Sequence, residues 1–199
     1  MIRIATTFAA VTAFQRRRAR GTLALCAVIA TGLASCATTP VESSGERLDS
    51  KTGTTVTLMP KPVELIVDRT GGPKTDPFAY LAPFETNRMG SHELWLWVSA
   101  PQVAAPLAQP QVFCGEQLLP LEPFTGALTD IGLSSPPYAA PAPWSMQWYF
   151  RLSGEVLDCL AQARQLKIMT RAGDAEPDRF IAEAAALSGV AGFAARVRT

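Results

Sequence analysis

The chain has 199 residues, with 18 Lys and Arg against 17 Asp and Glu, four cysteines and one histidine. Five of its arginines (Arg3, Arg16, Arg17, Arg18 and Arg20) precede residue 36, where there is no acid, so residues 36–199 carry 13 basic against 17 acidic side chains, a formal −4. A mildly acidic remainder of 164 residues is enough for one domain with its own core. It excludes nucleic acid and an anionic membrane surface as charge-matched partners, since both need a basic footprint.

The chain opens with the basic cluster Arg16-Arg17-Arg18-Ala19-Arg20, followed by the apolar run Thr22–Leu33 and then small residues and a cysteine. This is the order of the n-region, h-region and cleavage site of a secretory signal. The apolar run of 12 residues falls short of the roughly 20 that span a bilayer as a helix. Leu33-Ala34-Ser35-Cys36 resembles a bacterial lipobox. The resemblance implies cleavage between Ser35 and Cys36 and lipidation of the Cys36 thiol, with Leu33 in an apolar subsite and Ala34 and Ser35 as the small residues before the cut. It further implies a membrane-anchored lipoprotein, and Ala37 after the cysteine implies the outer membrane, with the domain facing the periplasm. A plain secretory signal cut near Ala37 is the alternative. Cys26 is a poor lipidation site because Leu25 precedes it.

The domain boundaries that follow are residues 1–35 as signal peptide, 36–53 as lipidated cysteine and flexible tether, and 54–199 as a single β-rich domain. The tether is expected because residues 37–53 are polar, rich in Ser, Thr and Gly, and too poor in apolar groups to bury a core.

Strands are expected at Thr54–Leu58 and Val63–Asp68, with Pro60 and Pro62 between them and a loop at Gly71-Gly72-Pro73. Ala79–Asn87 and Glu93–Val98 read as a hairpin around Met89-Gly90-Ser91. Both alternating sets of its second arm are apolar, as in a central strand covered on both faces. Trp95 and Trp97 are therefore either core or an exposed surface for stacking a sugar or partner. Pro101–Pro110 reads as an extended connection. Gln111–Cys114 and Gln117–Leu119 read as a hairpin about Gly115-Glu116. Residues 123–143 form a long proline-rich loop, a type that is often functional. In Trp144–Leu152 the alternation puts Trp144, Met146, Trp148, Phe150 and Leu152 inward, and Ser145, Gln147, Tyr149 and Arg151 outward. A short helix at Gly154–Ala163, a strand at Gln165–Thr170, a turn at Gly173-Asp174 and a C-terminal helix over 180–197 complete the series. The expected fold is mainly β: an antiparallel, Ig-like β-sandwich with a short insert helix and a C-terminal helix.

Cys114 and Cys159 are the two cysteines left after processing, an even number in a compartment that permits disulfides, and are expected to pair. With a single histidine they do not make a four-ligand zinc shell. No cofactor or catalytic set is expected. His92 sits at a hairpin turn, away from any activated-nucleophile motif. Gly132-Leu133-Ser134-Ser135 lacks the spacing of a nucleophile elbow, and Gly71-Gly72-Pro73-Lys74-Thr75 lacks that of a phosphate loop. Acid pairs such as Glu116/Glu122, and the run Asp174/Glu176/Asp178, read as solvated rather than as a glycosidase pair or a calcium site. The tether, the first Thr/Val-rich strand and the hairpin turn Asn87-Arg88-Met89-Gly90 resemble small proteobacterial lipoproteins, a likeness that brings no site residues with it. The functional expectation is a non-enzymatic envelope binding or assembly module with an envelope protein partner, the alternative being a periplasm-facing hydrolase or a carbohydrate-binding accessory.

Overall fold

The computed structural model describes residues 45–68, 78–101, 108–171 and 177–198. The signal region, Ser35, Cys36 and the Gly71-Gly72-Pro73 and Gly173-Asp174 turns lie outside these residues, as does most of Pro101–Pro110. The described chain is mainly β and antiparallel, with one insert helix and one C-terminal helix.

Its strands are β1 (Glu46–Asp49), β2 (Thr54–Leu58), β3 (Val63–Val67), β4 (Phe78–Arg88), β5 (Ser91–Pro101), β6 (Gln111–Cys114), β7 (Gln117–Leu118), β8 (Glu122–Phe124), β9 (Ser145–Arg151), β10 (Gln165–Thr170) and β11 (Asp178–Glu183). The helices are α1 (Gly154–Gln162) and α2 (Ser188–Arg196). All eleven strands hydrogen-bond in one sheet, ordered β7-β6-β10-β11-β3-β4-β5-β9-β8, with β1 and β2 branching from β4. The pairing thus gives one curled antiparallel sheet, in keeping with the mainly β fold expected.

The branch has a local cause. One edge of β4 pairs with β3 through Phe78–Leu81 and with β2 through Phe84–Asn87. Pro83 lies between the two stretches and has no N–H to donate, so the ladder forks where a donor is missing anyway. The β4–β5 hairpin turns on Met89 (φ 53°) and Gly90 (φ 86°), the left-handed pair of a two-residue turn that matches strand twist. Asn87 Oδ1 accepts the Gly90 N–H at 2.9 Å.

Antiparallel register sorts the side chains into two faces. One carries Val63, Leu65, Leu81, Leu96, Val98, Phe150, Leu166, Ile168 and Phe180, all buried. Helix α1 is fastened to this side by the Cys114–Cys159 disulfide, with Cα atoms 6.3 Å apart. Ser153 caps α1 by accepting the Val156 N–H at 3.2 Å, and α2 packs on α1 through a face containing Val190, Phe193 and Ala194. The other face carries Val56, Ala82, Phe84, Trp95, Trp97 and Tyr149.

Three expectations need correction. Residues 46–53, assigned to the tether, form β1 and its turn: Glu46–Asp49 pairs with Thr54–Thr57, and the Asp49 side chain is buried. The alanine-rich stretch from Phe180 begins as a strand, with Phe180 and Ala182 inward between β10 and β3, and turns helical only at Ala184–Leu187 (a 3-10 turn) and Ser188. Trp144 is 63% exposed because the β9 ladder starts at Ser145.

Candidate functional site

Trp95 and Trp97 lie on β5, between β4 and β9 in the sheet. Both indoles are buried, at 2% and 0% exposure, and so do not form an open stacking surface. Residues 125–144, joining β8 to β9, are what cover them. Tyr138 lies on Trp97 with ring centroids 5.1 Å apart, and Phe124 meets Trp95 edge-on at 5.4 Å. Ile131, the last residue of the Leu128–Ile131 3-10 turn, and Leu133, just past its Gly132 cap, are buried as well. Each indole N–H is satisfied: Trp95 donates to Thr86 Oγ1 at 3.1 Å and Trp97 to Gln147 Oε1 at 2.8 Å. Gln147 and Tyr149, expected to point to solvent, thus serve this second interior, where Tyr149 also meets Phe84 edge-on. Burial pushes the Tyr149 phenol up to about 12.

The loop is pinned to the sheet by polar groups at defined points. The Tyr138 hydroxyl accepts the Met59 N–H at 2.9 Å and donates toward the Met59 and Pro83 carbonyls at 3.3 and 3.5 Å. It thereby serves backbone groups left at the β4 fork, and burial raises its pKa above the ordinary phenol value. Asp49 reaches the loop from β1: its Oδ2 accepts the Ser134 N–H at 2.6 Å, while Oδ1 accepts the Lys51 and Thr52 amides at 3.1 and 3.3 Å. These bonds, the Ser134 amide first, hold its carboxyl down at about 2. Thr52 Oγ1 donates to the Gly132 carbonyl at 2.6 Å, and Arg88 donates to the Thr129 carbonyl at 3.1 Å. Gly132 has φ 83°, and a Cβ there would come within 2.5 Å of Thr54 Oγ1, so this approach of loop to sheet requires glycine.

Several concavities border the covered face. A polar cleft of about 250 Å³ is lined by Glu93, Glu122, Phe124, Asp130 and Arg151, among others. Arg151 is already engaged, bonded to Glu93 at 2.5 Å and lying 5.4 Å over the Trp95 ring. A more apolar groove of about 350 Å³ is lined by Phe78, Tyr80, Pro101, Pro141, Pro143 and Trp144. Trp144, 63% exposed, is the large aromatic side chain it presents to solvent.

The structure brings His92 and one acid together. Glu85 Oε1 lies 2.8 Å from His92 Nδ1, with the carboxylate buried and the imidazole 56% exposed. Among the described residues the His92 ring is hydrogen-bonded to Glu85. No described group of three or more His, Cys, Asp or Glu is placed to hold a metal ion, and no described helix is long and apolar enough to cross a membrane. Sequence reasoning missed Asp49, Thr52 and Tyr138, the residues that fasten the loop. The signal within reach was the excess of apolar groups on both faces of β5, which demands two covers.

The fold and these surfaces define a mainly antiparallel β protein with a disulfide-fastened helix and a loop-covered tryptophan face. Comparison with family models, with curated proteins and with solved structures finds no match to the chain.

Proposed function

We propose that this chain is an envelope lipoprotein, anchored in a bacterial outer membrane through lipidated Cys36, whose β domain is a non-catalytic binding or assembly module facing the periplasm. The Cys114–Cys159 disulfide carries the reading, since such bonds persist in oxidising compartments outside the cytosol. The basic cluster, the apolar run and Leu33-Ala34-Ser35-Cys36 support export and anchoring from the sequence side. Two acyl signals or more on one residue make anchoring stable.

A binding role is supported by the exposed Trp144 beside its proline-lined groove. The same ring keeps the carbohydrate-accessory alternative in view. In-cell crosslinking of the tagged full-length protein, followed by mass spectrometry, tests the module. One dominant envelope protein, lost in Trp144→Ala, is the expected result. A monomer that instead retains glycan fragments, also in a Trp144-dependent manner, would transfer the reading to the carbohydrate accessory.

A further inference from the structure

The N-terminal strand and the loop over the tryptophan face are separated by about half the described chain, yet they are fastened to each other. Among the described residues β1 pairs with β2 alone, and three of its four residues are exposed. Asp49, its last residue, is the buried one. The turn that follows spends its polar groups in two directions: Asp49 holds Lys51 and Thr52 within the turn, while Asp49 and Thr52 hold Ser134 and Gly132 across separations of 85 and 80 residues. Thr54, the first residue of β2, packs against Gly132 so closely that no side chain fits at that position. Beyond Gly132, the loop holds the sheet through Tyr138 and through Arg88 of the β4–β5 hairpin.

Edge strands with exposed outer faces are the parts of a sheet that open at low free energy, and proteins open in contiguous cooperative units. A carboxylate with three amide partners on two segments makes those segments interdependent, because releasing either one removes charge-assisted hydrogen bonds that the other segment shares. Helix α1, by contrast, is held by a disulfide to β6 on the opposite face of the sheet.

We propose that β1, its turn and residues 125–138 form a single strap that opens as a unit. Its release bares the Trp95–Trp97 face, while α1, β6 and β10 remain folded. The occupant of that apolar face in the closed state is the chain's own loop, and β1 is the latch. This proposal concerns the folded domain and does not depend on the lipid reading. Where Cys36 does carry the anchor, the pull of the membrane attachment enters the fold at β1, the latch itself.

Native-state hydrogen exchange on the full-length chain tests it. In the wild type, amides of residues 46–53 and 128–138 are expected to share one opening free energy, lower than that of α1 and β10. Asp49→Ala should accelerate exchange in both segments by the same factor, about tenfold or more, and leave α1 and β10 unchanged. Thr52→Val, which removes only the bond to Gly132, should accelerate both by a smaller common factor and serves if Asp49→Ala does not fold. Acceleration confined to 46–53, no acceleration, or equal acceleration throughout α1 and β10 would overturn the strap.

Discussion

Replacing Tyr138 with phenylalanine removes one oxygen and keeps the ring on Trp97, which isolates the hydroxyl's work at the β4 fork. Met59 is buried at 3% exposure, and its N–H has the Tyr138 hydroxyl as acceptor at 2.9 Å. Phenylalanine leaves that amide unsatisfied, at a cost of about 1–3 kcal/mol. Tyr138→Ala also removes the ring pair at 5.1 Å and opens a cavity above a fully buried indole, raising the cost to about 3–5 kcal/mol. Against a total of about 5–15 kcal/mol for an ordinary domain, the alanine change takes away a large share. Urea unfolding of the full-length chain, followed by tryptophan emission, measures both, and unchanged m-values keep the comparison clean. If Tyr138→Phe matches the wild type in midpoint, the hydroxyl is not serving the fork. If Tyr138→Ala costs no more than Tyr138→Phe, the ring is not a cover for Trp97.

Reducing Cys114–Cys159, or replacing both cysteines with alanine, opens a loop of 45 residues and should lower stability by about 3–4 kcal/mol in the chain-entropy model; matched chemical denaturation with and without reductant reads it. Asp49 has a carboxyl held at about 2 in the fold, below its unfolded value. Its stabilising contribution is therefore complete above about pH 4 and is lost as pH falls toward 2, so the wild type and Asp49→Asn should converge in midpoint over that range and stay apart from pH 5 to 7. Tyr149 works in the opposite sense. With its phenol pushed up to about 12, its contribution is complete below about pH 10 and fades as pH rises toward 12, and Tyr149→Phe should flatten part of that alkaline loss.

Local periodicity made much of the sheet legible. The β4–β5 hairpin, its Met89-Gly90 turn and β9 follow from alternation or from a turn residue near the chain that uses it, and α1 lies within the short helix expected at Gly154–Ala163. Trp95 and Trp97 could be read either way, because a strand apolar on both faces states that it has two covers but not which segment supplies the second. That segment proved to be the proline-rich loop, whose anchoring residues touch partners about 80 positions away, beyond any local signal. The polar stretch around Asp49 reads as tether by composition, yet one buried carboxylate and an edge pairing with β2 draw it into the fold. The start of the C-terminal segment misleads in a similar way. Phe180–Glu183 has helical composition, but β10 and β3 each offer it a strand edge, and tertiary pairing outweighs propensity.

The most direct test of the anchored-module account is intact and peptide-level mass spectrometry of the full-length gene product recovered from the membrane fraction. The account predicts a mature chain that begins at Cys36, carries acyl groups on that residue and holds Cys114 and Cys159 in a disulfide, with Cys36→Ala accumulating as unprocessed, non-acylated precursor. A mature chain cut elsewhere, or a Cys36→Ala variant that is processed and acylated normally, would contradict it.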